Sequence, residues 1–350
     1  MIGDYLELGI WFLEFIVKPM SFKDVVGHER PIKLLQRAII NDRVVHSYLF
    51  VGNEGLGKKR VALQFAKALN CLERRPDETD ACDRCISCKK IDDELHPDVL
   101  LLEPEGQALK VDQVRQMQGD LAYRPYEGKR RVCILTGADR MAPNMSNILL
   151  KTLEEPPLHT VIVLLANSSK AILPTILSRC QQVFFNPLPL SLLTPWLREE
   201  KGLEELDAHL LACLSEGSPG KALRLREEIN QVRREDILRE WFGTKSPSFG
   251  EMEGWIESLP SNREGLILIL EVAKTLLRDL VSMKVLGDGS KLIHSDLSRE
   301  MEVLSSERSL SSLLSRIERI HQTILAVSPL RGNANPTLAL EAMMLSWAEG

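Results

Sequence analysis

The chain has no excess of basic charge: 44 Lys and Arg stand against 49 Asp and Glu in 350 residues, a formal net charge of −5. That balance excludes an overall electrostatic preference for nucleic acid and leaves room only for local basic patches. An uninterrupted apolar run long enough to cross a bilayer is also missing. Residues 1–17, MIGDYLELGIWFLEFIV, come nearest, but Asp4, Glu7 and Glu14 break the run, no basic segment precedes it and no small-residue cleavage site follows it. We read residues 1–19 as an extension upstream of a natural start at Met20, and the chain as cytoplasmic with no membrane partner. Internal repeats and low-complexity segments are absent too, and 350 residues are more than one compact core holds, so two or three domains are expected.

The most telling absence is a single hydroxyl. VGNEGLGKKR (51–60) sets Gly52, Gly57 and Lys58 at the spacing of the phosphate-cradling loop G-x-x-x-x-G-K-[ST], but Lys59 follows where the magnesium-binding Ser or Thr is required. The context of the loop is otherwise right. SYLFVG (47–52) reads as a buried strand, and Val61, Phe65, Leu69 and Leu72 repeat at helical spacing behind it, so the loop opens a helix whose free N–H groups and dipole favour phosphate. A carboxylate is missing as well. A working ATPase of this kind holds magnesium with an acidic residue at the end of a neighbouring strand, whereas RRVCILTG (130–137) runs into Thr136 and Gly137. The next carboxylate, Asp139 in GADRM, reads as the N-cap of the following helix. Gly52, Gly57 and Lys58 are therefore read as a degenerate phosphate loop that binds ATP weakly or not at all and does not hydrolyse it.

Five apolar runs, SYLFVG, DVLLLEP (98–104), RRVCILTG, TVIVLLANS (160–168) and QQVFFNPL (181–188), alternate with amphipathic stretches. This is the pattern of strand-helix-strand units around a parallel sheet, an α/β fold. NPLPLSLLTP (186–195) closes the region with three prolines. Residues 187–234, with a Ser-Pro-Gly turn in SEGSPGKAL (215–223), are expected to form a small helical lid domain. Over 235–350, Leu266, Leu270, Ala273, Leu277 and Leu280 mark one helix, and Leu310, Leu313, Leu314, Ile317, Ile320 and Ile324 another, so the last third reads as an all-helical domain.

Cys71, Cys82, Cys85 and Cys88 follow the pattern C-x10-C-x2-C-x2-C. In a cytosolic chain, thiols clustered at this spacing hold Zn²⁺ more often than they form disulfides, and a shell filled by four thiolates leaves no position for water, so the metal is structural. Cys133 and Cys213 lie on apolar faces and read as core residues. Glu154 and Glu155 are adjacent on a helix and do not converge, so they are not an acid/base pair.

HSYLFVG (46–52), the cysteine cluster, YRPYEGKRRV (123–132), GADRM (137–141), LLKTLEEPP (149–157), ILPTILSRC (172–180) and NANPTLALEAMML (333–345) together resemble, in this order, the AAA+ subunits of the bacterial DNA polymerase III clamp loader. The resemblance runs from about Met20 to the end of the chain. It implies an AAA+ P-loop domain over 20–186 with a zinc module inserted at about 71–88, the lid over 187–234 and a C-terminal collar (oligomerisation) domain over 235–350. The gap between Cys71 and Cys82 is slightly longer than the family usually has. Motor subunits of the family carry G-K-[ST] and Asp-Glu where this chain has Lys58-Lys59 and Thr136-Gly137, and a nucleotide-sensing arginine where it has Gly220 and Lys221. The resemblance is thus to the stator-like delta-prime branch, with an active gamma/tau-like ATPase as the alternative. It implies a role in DNA replication as a component of the DNA polymerase III holoenzyme, with no catalysis of its own. Its partners would be the delta and gamma/tau subunits and, through the complex, the sliding clamp and primer-template DNA. By the same resemblance Arg179, in the triplet Ser178-Arg179-Cys180, is an arginine finger acting in trans on the nucleotide of a neighbouring subunit, a task suited to the planar, permanently charged guanidinium. A zinc-containing DNA-binding protein using GKRR (128–131) is a third reading. The acidic net charge and the lack of aromatic residues between those bases count against sequence-specific binding.

Overall fold

A computed structural model describes residues 21–104, 111–141, 143–229, 232–243, 249–260, 262–287, 292–328 and 334–348; the expectation for residues 1–19 lies outside them. The chain divides into two compact units. One takes in residues up to 192 with 218–220, the other 193–217 and those from 221 onward.

In the first unit each of the five apolar runs is a strand: β1 (Ser47–Val51), β2 (Val99–Leu102), β3 (Arg131–Leu135), β4 (Thr160–Ala166) and β5 (Gln181–Phe184). Every pairing is parallel, in the order β2-β3-β4-β1-β5. The three inner strands are buried at every residue, as strands covered on both faces must be, while edge strands β2 and β5 are partly open. The helices are α1 (Glu29–Ile40), α2 (Lys58–Asn70), α3 (Ile86–Asp92), α4 (Val111–Leu121), α5 (Pro143–Glu154) and the single turn α6 (Pro174–Leu177). Because side chains alternate along a strand, Tyr48 and Phe50 join Leu35 of α1 and Val61 and Phe65 of α2 in one core layer. Leu49 and Val51 join Met117 of α4 and Leu149 of α5 in the other. This is the expected parallel α/β domain. The apolar stripe of α2 ends sooner than its periodicity suggests, since the helix stops at Asn70 and Leu72 is exposed.

A buried ion pair fixes the amino-terminal edge of the sheet. Asp98, just ahead of β2, accepts hydrogen bonds from the backbone N–H groups of Tyr126 (2.7 Å), Glu127 (2.9 Å) and Gly128 (2.7 Å) and lies 3.2 Å from Nη2 of Arg131. Burial alone would raise its carboxyl, but the three N–H donors and the guanidinium outweigh burial and hold it below the usual carboxylate range. Asp98→Asn is expected to destabilise this unit by about 3 kcal/mol, because it strips a buried charge of its partner. A group whose folded pKa is depressed contributes stability that is complete above its unfolded value, about 3.9, and is lost as the pH falls through the folded one. Denaturant titrations of both proteins at neutral pH and below pH 4 measure the effect: the difference is predicted to shrink in acid.

The second unit holds no strand among its described residues, and no helix described is long and apolar enough to cross a membrane. In α7 (Arg263–Leu286) the predicted positions Leu266, Leu270, Ala273, Leu277 and Leu280 are all buried. In α8 (Leu310–Val327) the buried face is rotated from the expected one. Leu313, Ile320 and Ile324 are buried, but Leu310 and Leu314 are exposed, and Arg316 takes the inward place. Its Nη1 donates to the carbonyl of Trp241 at 2.9 Å and its guanidinium lies 5.1 Å from the ring centre of Trp347 on α9 (Pro336–Ala348), a cation–π contact in a desolvated setting. His294 is also fully buried, with Nε2 2.9 Å from Thr275 Oγ1, and burial together with the Arg234 charge pushes it down to about 3.

Candidate functional site

β1 delivers Gly52 to the carboxyl end of the sheet, where a Cβ on Gly52 would come within 2.4 Å of the Phe185 carbonyl oxygen. Gly57, with φ +86°, caps α2. The loop between them therefore has the strand-loop-helix form that the sequence predicts. Lys58, the first residue of α2, is buried, and its Nζ donates back to the carbonyls of Gly52 and Asn53 (2.8 Å) and to Oδ1 of Asn167 (3.2 Å). Desolvation lowers its pKa to about 8 against the opposing pull of Asp139 and Glu54. Gly220 N–H donates to Gly55 O at 2.9 Å, and Ser218 Oγ to Glu54 O at 2.9 Å, so the SPG turn lies on the loop.

Neither of the two positions named from the sequence carries the usual magnesium ligand, a Ser or Thr hydroxyl in the loop and a carboxylate at the strand end. Lys59 Nζ lies 3.1 Å from both Glu94 Oε1 and Glu103 Oε1. Thr136, at the end of β3, donates its hydroxyl to the Leu102 carbonyl at 3.2 Å. Asp139 does not cap a helix, contrary to the sequence reading. It is the middle residue of a 3-10 turn, Ala138–Arg140, whose cap is Gly137 at φ +67°. One of its carboxylate oxygens is buried without a hydrogen-bond partner among the described residues. Asn167, directly after β4, and His28, whose Nε2 is 2.7 Å from the Leu56 carbonyl, complete the surroundings of the loop. The sequence reading missed both; position after a strand was the only signal for Asn167, and His28 had none.

The cysteine sulfurs converge. Cys71 ends α2, Cys85 caps α3, Cys88 lies within α3 and Cys82 sits in the turn before it. All four Sγ atoms lie within 4.8 Å of one another, with Cys71–Cys85 and Cys82–Cys88 each at 4.0 Å. Tetrahedral zinc with Zn–S bonds of about 2.3 Å sets its sulfurs about 3.8 Å apart, so the donor set and spacing fit that ion, Cys71 included. Backbone N–H groups of Cys82, Cys85 and Cys88 point at the sulfurs of Cys71 (3.4 Å), Cys82 (3.3 Å) and Cys85 (3.5 Å), which favours thiolates. Lys67 of α2, fully buried, reaches Asp83 at 2.5 Å and Asp92 at 2.8 Å and ties the cysteine turn and α3 to the sheet domain.

Arg179 sits between α6 and β5, two residues from each. Its Nη2 lies 2.7 Å from Glu154 Oε1 at the end of α5, and its Nη1 donates to Thr175 O at 3.0 Å. The side chain is 36% exposed. Its carbonyl accepts from Ser47 Oγ at 2.6 Å, so the backbone is anchored to β1 while the guanidinium stays at the surface. Glu154, which the sequence excluded from an acid/base pair with Glu155, is the carboxylate that meets it.

A family model described as "DNA polymerase III, delta subunit" matches residues 27–189. The DNA polymerase III subunit delta' of Bacillus subtilis is 30% identical over 339 residues, 92% of this chain and 96% of that one. The subunit delta' of Pseudomonas aeruginosa is 30% identical over 307 residues, 87% of this chain and 92% of that one. The tau subunit of B. subtilis is 32% identical over 218 residues, 61% of this chain and 38% of its own length. Among solved structures, a gamma subunit-related protein of Thermotoga maritima covers 91% of this chain and 99% of its own, at 21% identity and TM-score 0.47.

Proposed function

Because the chain belongs to the delta-prime family of DNA polymerase III subunits, we propose that it acts in the clamp loader without hydrolysing ATP itself and lends Arg179 to the nucleotide of a neighbouring subunit. The observation that carries this reading is Lys59. An ammonium held by Glu94 and Glu103 stands where a magnesium-binding hydroxyl belongs, and Thr136 stands at the strand end where a carboxylate belongs. Phosphoryl transfer is mostly positioning and charge stabilisation around the metal, so a loop that cannot hold the metal loses hydrolysis before it loses its shape. Lys58 meanwhile donates to the inward-facing carbonyls of Gly52 and Asn53 within the loop.

In this reading Cys71, Cys82, Cys85 and Cys88 hold one structural Zn²⁺, which supplies cross-linking of the α2–α3 connection and no chemistry. Residues 187–234 serve as lid and 235–350 as collar, through which the chain assembles with delta and gamma/tau subunits to place the sliding clamp on primed DNA. Glu154 parks the Arg179 guanidinium in the free subunit. An exposed pair of this kind is worth about 0–1 kcal/mol, so exchanging the carboxylate for a phosphate costs little.

Mixing the full chain with delta, gamma/tau and the clamp tests the assignment: co-elution of one complex is expected, and a chain that stays apart from both subunits overturns it. The second reading, an active motor, draws on Asp139, whose unpartnered carboxylate oxygen lies near enough to Lys58 to raise its pKa. Lys58→Ala separates the two. Clamp loading by the reconstituted complex is expected to be hardly changed by it, even if weak nucleotide binding is lost, and a large loss of loading would assign the loop an obligatory role.

A further inference from the structure

The basic run GKRR (128–131) divides in the structure. Arg131 is structural, buried at the start of β3 against Asp98 and donating to the Asp120 carbonyl. Lys129 and Arg130 instead line a recess of about 220 Å³ together with Arg74 and His159, over an apolar floor that includes Ile39 and Leu69. Residues 131 and 160 begin β3 and β4, so the recess lies at the amino-terminal edge of the sheet, whereas the degenerate loop follows the carboxyl end of β1. The two are separate sites.

The cations of the recess are oriented without being neutralised. Arg74 donates to the carbonyls of Ala68 (2.8 Å), Glu78 (2.7 Å) and Arg75 (3.3 Å), and Lys129 to that of Cys71 (3.3 Å). Among the described residues Arg130 alone of the three meets a carboxylate, Asp42 at 3.6 Å, and Asp42 is almost wholly exposed. Two arginines and a lysine thus face one carboxylate among the described residues, in a chain whose net charge is −5. Carbonyl dipoles fix the direction of a guanidinium but leave its full charge for an anion. His159 adds a ring from a backbone at φ +62°, a left-handed conformation uncommon for a residue with a side chain. In the same loop as Lys129 and Arg130, pinned by the three N–H bonds to Asp98, Tyr123 and Tyr126 are 72% and 84% exposed and Arg124 is exposed. Open aromatic faces beside unneutralised arginines are what single-stranded nucleic acid requires, rings for bases and cations for phosphates.

We propose that this recess and its tyrosine loop form a contact site for single-stranded DNA, with the phosphodiester backbone at Arg74, Lys129 and Arg130 and bases stacked on Tyr123 and Tyr126. The site needs no nucleotide, no metal and no arginine finger, so its test is independent of the reading above. Fluorescence anisotropy of a labelled single-stranded oligonucleotide with the full isolated chain, over a series of salt concentrations, measures it. Arg130→Gln is expected to weaken binding and to flatten the plot of log K against log salt by about 0.7, the slope of one lost single-strand phosphate contact. Tyr126→Ala is expected to weaken binding about 5- to 100-fold, with Tyr126→Phe restoring it, because stacking uses the ring and not the hydroxyl. Tyr126 is at the surface, so these variants remain readable if Arg130→Gln fails to fold. Unlabelled single-stranded DNA is expected to displace the probe far better than pyrophosphate or an acidic peptide does. Equal binding by the wild type and the Arg130 and Tyr126 variants overturns the proposal, as does displacement by pyrophosphate or the peptide as effective as by DNA.

Discussion

Arg179→Ala, placed in an otherwise complete clamp loader, is expected to lower ATP turnover at the site it serves by about 10³-fold or more, the range an arginine finger supplies. The geometry makes the residue suited to the task and dispensable for the fold. Its backbone is fastened to β1 through Ser47, while the guanidinium is partly exposed and held by one surface carboxylate, Glu154. Removing an exposed ion pair costs at most about 1 kcal/mol, so the variant should melt and assemble as the parent does. Total turnover should fall only in part, since other motor sites would receive their arginines from other subunits. Lysine should rescue poorly, because a point charge does not reproduce a planar fork that meets several phosphate oxygens. Glu154→Gln is the control: it removes the parking carboxylate and keeps the guanidinium, so it should retain turnover. If DNA- and clamp-stimulated turnover is the same with Arg179→Ala as with the parent, Arg179 has no part in the mechanism and the chain is a scaffold.

The second large effect is expected at the cysteines. Metal analysis of the purified chain should give about one zinc per molecule, and Cys85→Ser should release it. Structural zinc contributes apparent free energies of about 10–16 kcal/mol in isolated zinc modules, far above any other single contact in this unit. The damage should nevertheless stay local. The cluster lies in the connection between β1 and β2, and the strands are held by their own core layers. Local does not mean confined to the turn, because buried Lys67 is bonded to Asp83 and Asp92; loss of the metal should loosen the last turn of α2 as well as α3. Hydrogen exchange is expected to rise over residues 67–93 and to stay slow in β1, β3 and β4. A fully metal-loadable protein that contains no zinc would contradict the assignment.

What the sequence made legible was what depends on local pattern. Strands buried on both faces must be continuous apolar runs, and all five were visible as such. Cysteine spacing was sufficient even with the longer gap after Cys71, because the intervening residues fold back through the Arg74 bonds to Ala68 and Glu78 and return Cys82 to the cluster. What depended on distant partners was not legible. Periodicity put Leu314 in the core of α8, but Arg316 faces inward because Trp347 and the Trp241 carbonyl are there to receive it. Asp139 had the look of a cap, and Gly137 took that role because its left-handed backbone starts the turn two residues earlier. Lys59 could be seen to lack a hydroxyl, yet nothing in the sequence indicated that Glu94 and Glu103, each far along the chain, would close on it. Glu154 was visible as one of a charged pair, and its bond to Arg179 required α5 and α6 to be in place.

Steady-state ATP turnover with magnesium, measured on the isolated chain and then on the loader assembled from delta, gamma/tau and this chain, tests the central claim most directly. The account predicts no turnover above background for the isolated chain, and DNA- and clamp-stimulated turnover for the assembly that survives Lys58→Ala. Turnover by the isolated chain that Lys58→Ala abolishes would contradict it, and would make the loop of residues 52–58 a working motor.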